Sequence, residues 1–144
     1  MLPIVAKFEA ASLPTLSDEE RQRLLTFVVV GGGPTGVEFS GELFDFLQQD
    51  VKRYYPKLTP LVRTKILQSG KGVLETFDKN MQDMALTNLK NSGVEVILNA
   101  RVTALTETEI TFVQVCVCVC VCVCVFTYVY IYIRTVFLSL SVAT

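Results

Sequence analysis

Six consecutive residues, Gly31-Gly32-Gly33-Pro34-Thr35-Gly36, carry the spacing G-x-G-x-x-G directly after the apolar run Thr26-Phe27-Val28-Val29-Val30. In that position each spaced glycine has a task that a side chain would obstruct. Gly31 turns the chain sharply off a strand, Gly33 leaves room for a pyrophosphate beside the backbone, and Gly36 lets the next helix sit close on the strand. The phosphates then meet free amides at the positive end of that helix. Such glycine patterns also occur as unliganded turns, so the weight here comes from the strand before and the helix after. Neither Lys-Ser nor Lys-Thr follows the glycines, which disfavours the phosphate loop of ATPases and GTPases. The chemistry implied is the holding of a dinucleotide, with Gly31, Gly32, Gly33, Pro34, Thr35 and Gly36 as candidate contacts.

The choice between nicotinamide cofactors is expected at the end of the second strand, where an acidic side chain normally accepts hydrogen bonds from the adenosine ribose. Gln68 stands there, followed by Ser69, Gly70 and Lys71. A neutral amide does not repel a 2′-phosphate and Lys71 could attract one, so the expectation is that NADPH is accepted at least as well as NADH. Glu38 falls in the first helical turn, where a carboxylate also suits the helix dipole.

Other chemistries are excluded by what is missing. The 144 residues contain no histidine, which removes His-based triads, His metal sites and imidazole acid–base schemes. A formal net charge of -1 gives no electrostatic reason for a nucleic-acid partner or an acidic membrane surface. The length suits one modest domain and cannot hold a flavoenzyme with both of its nucleotide sites.

The elements that must position these residues follow from pattern. Lys7 and Glu9 interrupt the first apolar stretch, so no secretory signal is expected. Ser17-Asp18-Glu19-Glu20 fits a capping box opening a short helix to about Leu25. Thr26 to Val30 reads as a strand buried on both faces. A helix from Pro34 to Asp50 carries Val37, Phe44, Leu47 and Val51 on its core stripe, and Pro56 and Pro60 end it. Arg63 to Leu67 is a second strand. Asp78 caps a second helix with Met81, Met84, Ala85 and Leu89 on one face, and Gly93 stops it. Val94 to Leu98 is a third strand, and Val102 to Phe112 alternates like a hairpin. The result is an α/β, Rossmann-like three-layer half-fold, β-α-β-α-β plus hairpin, of the FAD/NAD(P)-binding domain class, with parallel strands.

From Val113 onward the composition changes. All 5 cysteines lie in the run VQVCVCVCVCVCVFTYVYIYI, and Arg134 is the only charged residue beyond it. The run is long and uncharged enough for a membrane helix of about 20 residues. Its Val/Cys alternation has instead the two-residue period of a strand. Five thiols on one strand face, Cys116, Cys118, Cys120, Cys122 and Cys124, would suit a soft metal, but no His or acidic neighbour supports that. The genetic code explains more: repeated GTG TGT reads Val-Cys and repeated TAT ATA reads Tyr-Ile. Residues 113–144 are therefore expected to be a translated dinucleotide repeat, residues 26–112 the nucleotide domain, and residues 1–25 a lead-in segment.

The stretch FVVVGGGPTGVEFSGELFDFLQQD, with the later RTKILQSGKGVLETFD, resembles the type II NAD(P)H:quinone oxidoreductases, the alternative non-proton-pumping NADH dehydrogenases. The likeness runs from about Phe8 to Phe112, with Val37-Glu38-Phe39, Gly41-Glu42-Leu43 and Phe77-Asp78 in family order. It implies a flavoprotein on the mitochondrial inner membrane, attached peripherally, in which a hydride passes from NADH or NADPH to FAD and on to ubiquinone. It implies a place near the nicotinamide for Glu38, and makes residues 1–25 the lead-in from the flavin domain. The family's FAD-binding glycine motif and its quinone and membrane segments are not in this chain, so the isolated chain is expected to bind nucleotide without turnover, with no catalytic residue of its own. A stand-alone NAD(P)H-binding module and a tail-anchored membrane protein are the alternatives.

Overall fold

β-branched and aromatic side chains on successive positions of a strand need cover on both faces, and Thr26–Val30 receives it. In the computed structural model, which describes residues 2–106, 109–117, 123–132 and 135–138, helices α1 (Leu2–Ala11) and α2 (Asp18–Leu24) lead into β1 (Thr26–Val30). Next come α3 (Pro34–Phe46), a π-helical turn (Leu47–Val51), α4 (Lys52–Tyr54), a 3-10 turn (Thr59–Leu61) and β2 (Arg63–Leu67). The chain continues through α5 (Lys79–Asn91), β3 (Val94–Ile97), β4 (Ala100–Leu105), β5 (Glu109–Val117), β6 (Val123–Tyr132) and β7 (Thr135–Leu138). One parallel sheet has the order β3-β2-β1-β7, and an antiparallel sheet has the order β4-β5-β6.

The two-residue period of β1 sorts its side chains between layers. Phe27 joins Phe8, Leu24, Leu43, Leu47 and Val51 beneath the helices, and Val29 joins Ile66, Val73, Leu89 and Val94. Val28 points the other way, into a cluster with Leu67 of β2 and with Ala100, Ile110 and Phe112 from the antiparallel sheet. The three layers are thus helices, parallel sheet and antiparallel sheet. This is a Rossmann-like dinucleotide-binding architecture, as the β-α-β-α-β pattern requires.

Local chemistry sets the boundaries. The Ser17 hydroxyl accepts from the Glu20 amide at 3.2 Å, and the Glu20 carboxylate accepts from the Ser17 amide at 2.8 Å. Asp78 accepts from the Met81 amide at 3.0 Å and so caps α5. Gly93, at φ 72°, takes the left-handed step that ends it.

Several expectations need adjustment. The stripe of α3 is Gly36, Ser40 and Leu43, continued by Leu47 and Val51 of the π turn, and steps of three and four residues along it leave Phe44 to one side, half-buried. On α5 the packed face is Ala85, Leu86 and Leu89, while Met81 and Met84 are exposed. The lead-in packs on the sheet through Phe8, which is wholly buried, 6.1 Å from the Phe27 ring and 5.6 Å from Tyr55. Phe112, the expected domain limit, lies inside β5, which pairs with β6, and β7 pairs with β1. Among the described residues no helix is long and apolar enough to cross a membrane, and no group of His, Cys, Asp or Glu could hold a metal ion. Of the five cysteines, Cys116 and Cys124 are backbone register partners across β5 and β6, while Cys118, Cys120 and Cys122 lie outside the described residues.

Candidate nucleotide site

The backbone at the end of β1 continues the sheet for one more step before turning. The Gly31 amide donates to the Leu67 carbonyl at 2.8 Å. Gly31 then adopts φ 105°, a region closed to residues with a Cβ, and the chain leaves the strand. Gly33 is the N-cap of α3 in an extended conformation, φ -76° and ψ -176°, with Pro34 as the first helical residue. The first helical bond runs from the Val37 amide to the Gly33 carbonyl at 3.0 Å. The amides of Gly33, Thr35 and Gly36 therefore have no acceptor among the described residues, as the first turn of a helix dictates.

The two middle glycines differ in surroundings. A Cβ on Gly32 would sit 3.1 Å from Val73 Cγ1 and 3.2 Å from Gln68 Cβ, tighter than ordinary contact. A Cβ on Gly33 would meet nothing within 4 Å. Gly32 is thus needed for packing against the loop that follows β2, whereas the open side of the turn is at Gly33, beside unspent amides.

That loop, Gln68 to Phe77, is tied to the turn through both polar groups of Gly32. The Gln68 side-chain carbonyl, Oε1, accepts from the Gly32 amide at 2.9 Å, and the Leu74 amide donates to the Gly32 carbonyl at 2.8 Å. Because an N–H group faces it, the Gln68 oxygen must point at the turn, which leaves Nε2 as the outward donor. Leu74 adopts φ 53°, a conformation that costs a non-glycine residue about 1 kcal/mol and is held by this bond and by the burial of Val73. The start of the loop is fixed to the neighbouring strand: the Gln68 amide donates to Ile97, and the Ala100 amide donates to Gln68, both at 2.9 Å.

Of the residues singled out from sequence, Gly31 to Gly36 and Gln68 are brought together. Ser69 is exposed just beyond Gln68, and Thr35 and Pro34 are exposed at the helix start. Glu38 is exposed on α3 and makes no hydrogen bond or ion pair among the described residues. Sequence reasoning missed Ser40, wholly buried, whose hydroxyl donates to the Gly36 carbonyl at 2.7 Å and steadies the first turn of α3. It also missed Glu75, whose Oε1 accepts from the Lys71 amide at 2.8 Å and the Gly72 amide at 3.2 Å. A carboxylate four residues downstream in a glycine-containing loop was the available signal. Cavities beside Tyr54 and Tyr55, about 560 and 340 Å³, share no residue with the glycine turn.

A parallel sheet with a glycine turn and a helix start at its central strand defines a dinucleotide-binding domain. The family model for the pyridine nucleotide-disulphide oxidoreductases matches residues 5–125, and the chain belongs to that family. Within it, the likeness is to the alternative, type II NADH dehydrogenases. The chain is 45% identical over 108 residues to the external alternative NAD(P)H-ubiquinone oxidoreductase B2, mitochondrial, of Arabidopsis thaliana, covering 75% of this chain and 19% of that protein. It is 35% identical over 113 residues to the external NADH-ubiquinone oxidoreductase 2, mitochondrial, of Saccharomyces cerevisiae, covering 78% of this chain and 21% of that one. The structure of NDH2 from Plasmodium falciparum in complex with NADH matches with a TM-score of 0.87 at 25% identity, over 99% of this chain and 27% of that one. The chain thus spans about a fifth of the curated relatives it matches. These relatives are oxidoreductases, and the cofactors of their family are NAD(P)H and FAD, as the resemblance read from sequence implied.

Proposed function

We propose that this chain holds NADH or NADPH by its pyrophosphate at the start of α3, as the nucleotide-binding part of a FAD-dependent NAD(P)H:ubiquinone oxidoreductase. The observation that carries this reading is the open space at Gly33 beside the unspent amides of Gly33, Thr35 and Gly36. A pyrophosphate there gains charge-assisted hydrogen bonds and the favourable end of the helix dipole. Gly31 sets the turn, Pro34 starts the helix without spending a donor, and Gly32 keeps the turn seated on Gln68 and Val73. The outward Nε2 of Gln68, with Ser69 beside it, is placed to donate toward the adenosine ribose. Glu38, near the helix start, is assigned to the nicotinamide end. When bound, the cofactor supplies a two-electron hydride. No residue of this chain is asked to take it up, and catalysis of transfer is assigned to positioning.

The names of the relatives support ubiquinone as the final acceptor and a mitochondrial setting, and the resemblance read from the residues adds a peripheral place on the inner membrane. The Val-Cys and Tyr-Ile runs support the reading of residues 113–144 as a translated repeat appended to a nucleotide domain. Sequencing the transcript tests that part: a mature message joining an ordinary coding exon near Phe112 is expected. Isothermal titration of the 144-residue chain with NADH and NADPH tests the whole. Saturable binding of at least one is expected, and heat from neither would refute the reading. A second G-x-G-x-x-G encoded upstream of Met1 is the further expectation, and its absence from the gene would favour a stand-alone binding module.

A further inference from the structure

We propose that Glu75 is the residue by which this chain prefers NADH over NADPH, an assignment that rests on the dinucleotide reading above. The strand end that normally offers a carboxylate to the ribose offers Gln68, and its oxygen is already committed to the Gly32 amide. The negative charge at this corner comes from seven positions further on. Glu75 Oε1 accepts from the consecutive amides of Lys71 and Gly72, at 2.8 and 3.2 Å. A Cβ at Gly70 would collide with the same carboxylate, so the loop is built closely around it.

Consecutive amides converging on one point form the kind of concavity that binds anionic oxygens. Here it is filled by the chain's own carboxylate. A phosphate on the ribose 2′ position would have to displace a tethered competitor, which acts at high effective concentration, or lie beside its charge. A ribose 2′-hydroxyl meets no such barrier. It can donate to Glu75 Oε2, which accepts no hydrogen bond among the described residues. Lys71 contributes its amide to holding Glu75, so the cation expected to attract a 2′-phosphate stands next to the group that repels it. The preference expected from Gln68 and Lys71 alone is thereby reversed.

The test is titration of the 144-residue chain, wild type and Glu75→Gln, with NADH and NADPH at low ionic strength. The Gln side chain keeps an oxygen for the Lys71 and Gly72 amides and removes the charge at an exposed position, so the melting temperature should not move. The wild type should bind NADH at least tenfold more tightly than NADPH. In Glu75→Gln that ratio should fall at least tenfold, chiefly through tighter NADPH. Binding of both cofactors with a ratio untouched by the substitution, or a wild type that prefers NADPH, overturns the role of Glu75 and leaves the nucleotide site standing. Binding of neither by the wild type overturns both.

Discussion

The glycine turn and the loop after β2 lie against each other, and each gathers backbone amides at one place, yet they are finished in opposite ways. At the turn, the amides of Gly33, Thr35 and Gly36 are left without acceptors, and the space beside Gly33 is open, among the described residues. In the loop, the amides of Lys71 and Gly72 are capped by Glu75 from within the chain. An open cradle costs stability, since its donors must turn to water, and is kept where a ligand is to supply the acceptor. A self-filled cradle gains stability locally and refuses that same ligand group. The number of converging N–H groups therefore does not locate an anion site; whether they are already satisfied does.

The sharpest way to break this contrast is to fill the open side. Gly33→Val places a branched side chain where nothing lies within 4 Å, at a backbone conformation that any residue adopts. The fold should lose about 1 kcal/mol at most, from a poorer N-cap. Affinity for NADH and NADPH alike should fall about a hundredfold, or ~2.7 kcal/mol, because the pyrophosphate can no longer approach. Calorimetric titration beside thermal melting separates the two effects. Retained affinity in a folded variant would mean that the open amides are not the phosphate site.

The next effect down tests how the two regions are joined. Gln68→Leu removes the acceptor from the buried Gly32 amide, which should cost about 1–3 kcal/mol of stability, read by denaturant unfolding. Gln68→Glu, which keeps an acceptor oxygen, should restore most of it. Both cofactors should weaken in parallel in the leucine variant, because the turn as a whole loosens. Selective weakening of one would assign Gln68 to ribose choice rather than to seating the turn.

Much of this was legible in the residues themselves. The strand, turn and helix around Gly31 to Gly36 are local structures whose causes are local: a buried β-branched run, a residue without a Cβ, a proline at the helix start. The caps at Ser17 and Asp78 were legible for the same reason. What escaped were properties of contact between distant segments. Phe8 reads as one aromatic in a charged lead-in, and only the folded chain shows it packed on Phe27 and Tyr55. The distinction between Gly32 and Gly33 is invisible in the motif, since it depends on Val73 and Gln68 arriving from another strand. Glu75 escaped because its partners are backbone amides, so the only trace in the sequence is a carboxylate a few residues after a glycine-containing loop. β6 and β7 show the converse: they pair with β5 and β1 although no motif in the sequence marks them.

The smallest expected effect decides whether the self-filled cradle is held locally or from its far end. Asp78 accepts from the Met81 amide at 3.0 Å and begins α5 three residues after Glu75. Asp78→Ala should cost about 1 kcal/mol, the usual worth of an N-cap, and water can reach the amide left behind at this exposed end. Glu75 is tied to Lys71 and Gly72, four and three residues back, and Leu74 to Gly32, so none of these bonds passes through the helix cap. The ratio of NADH to NADPH affinity should therefore stay within about twofold of wild type while the melting temperature falls by several degrees. A ratio that shifts along with stability would show that the loop closes over its own amides because α5 pulls it shut. The contrast between the open and the filled cradle would then belong to the helix, and no longer to the carboxylate.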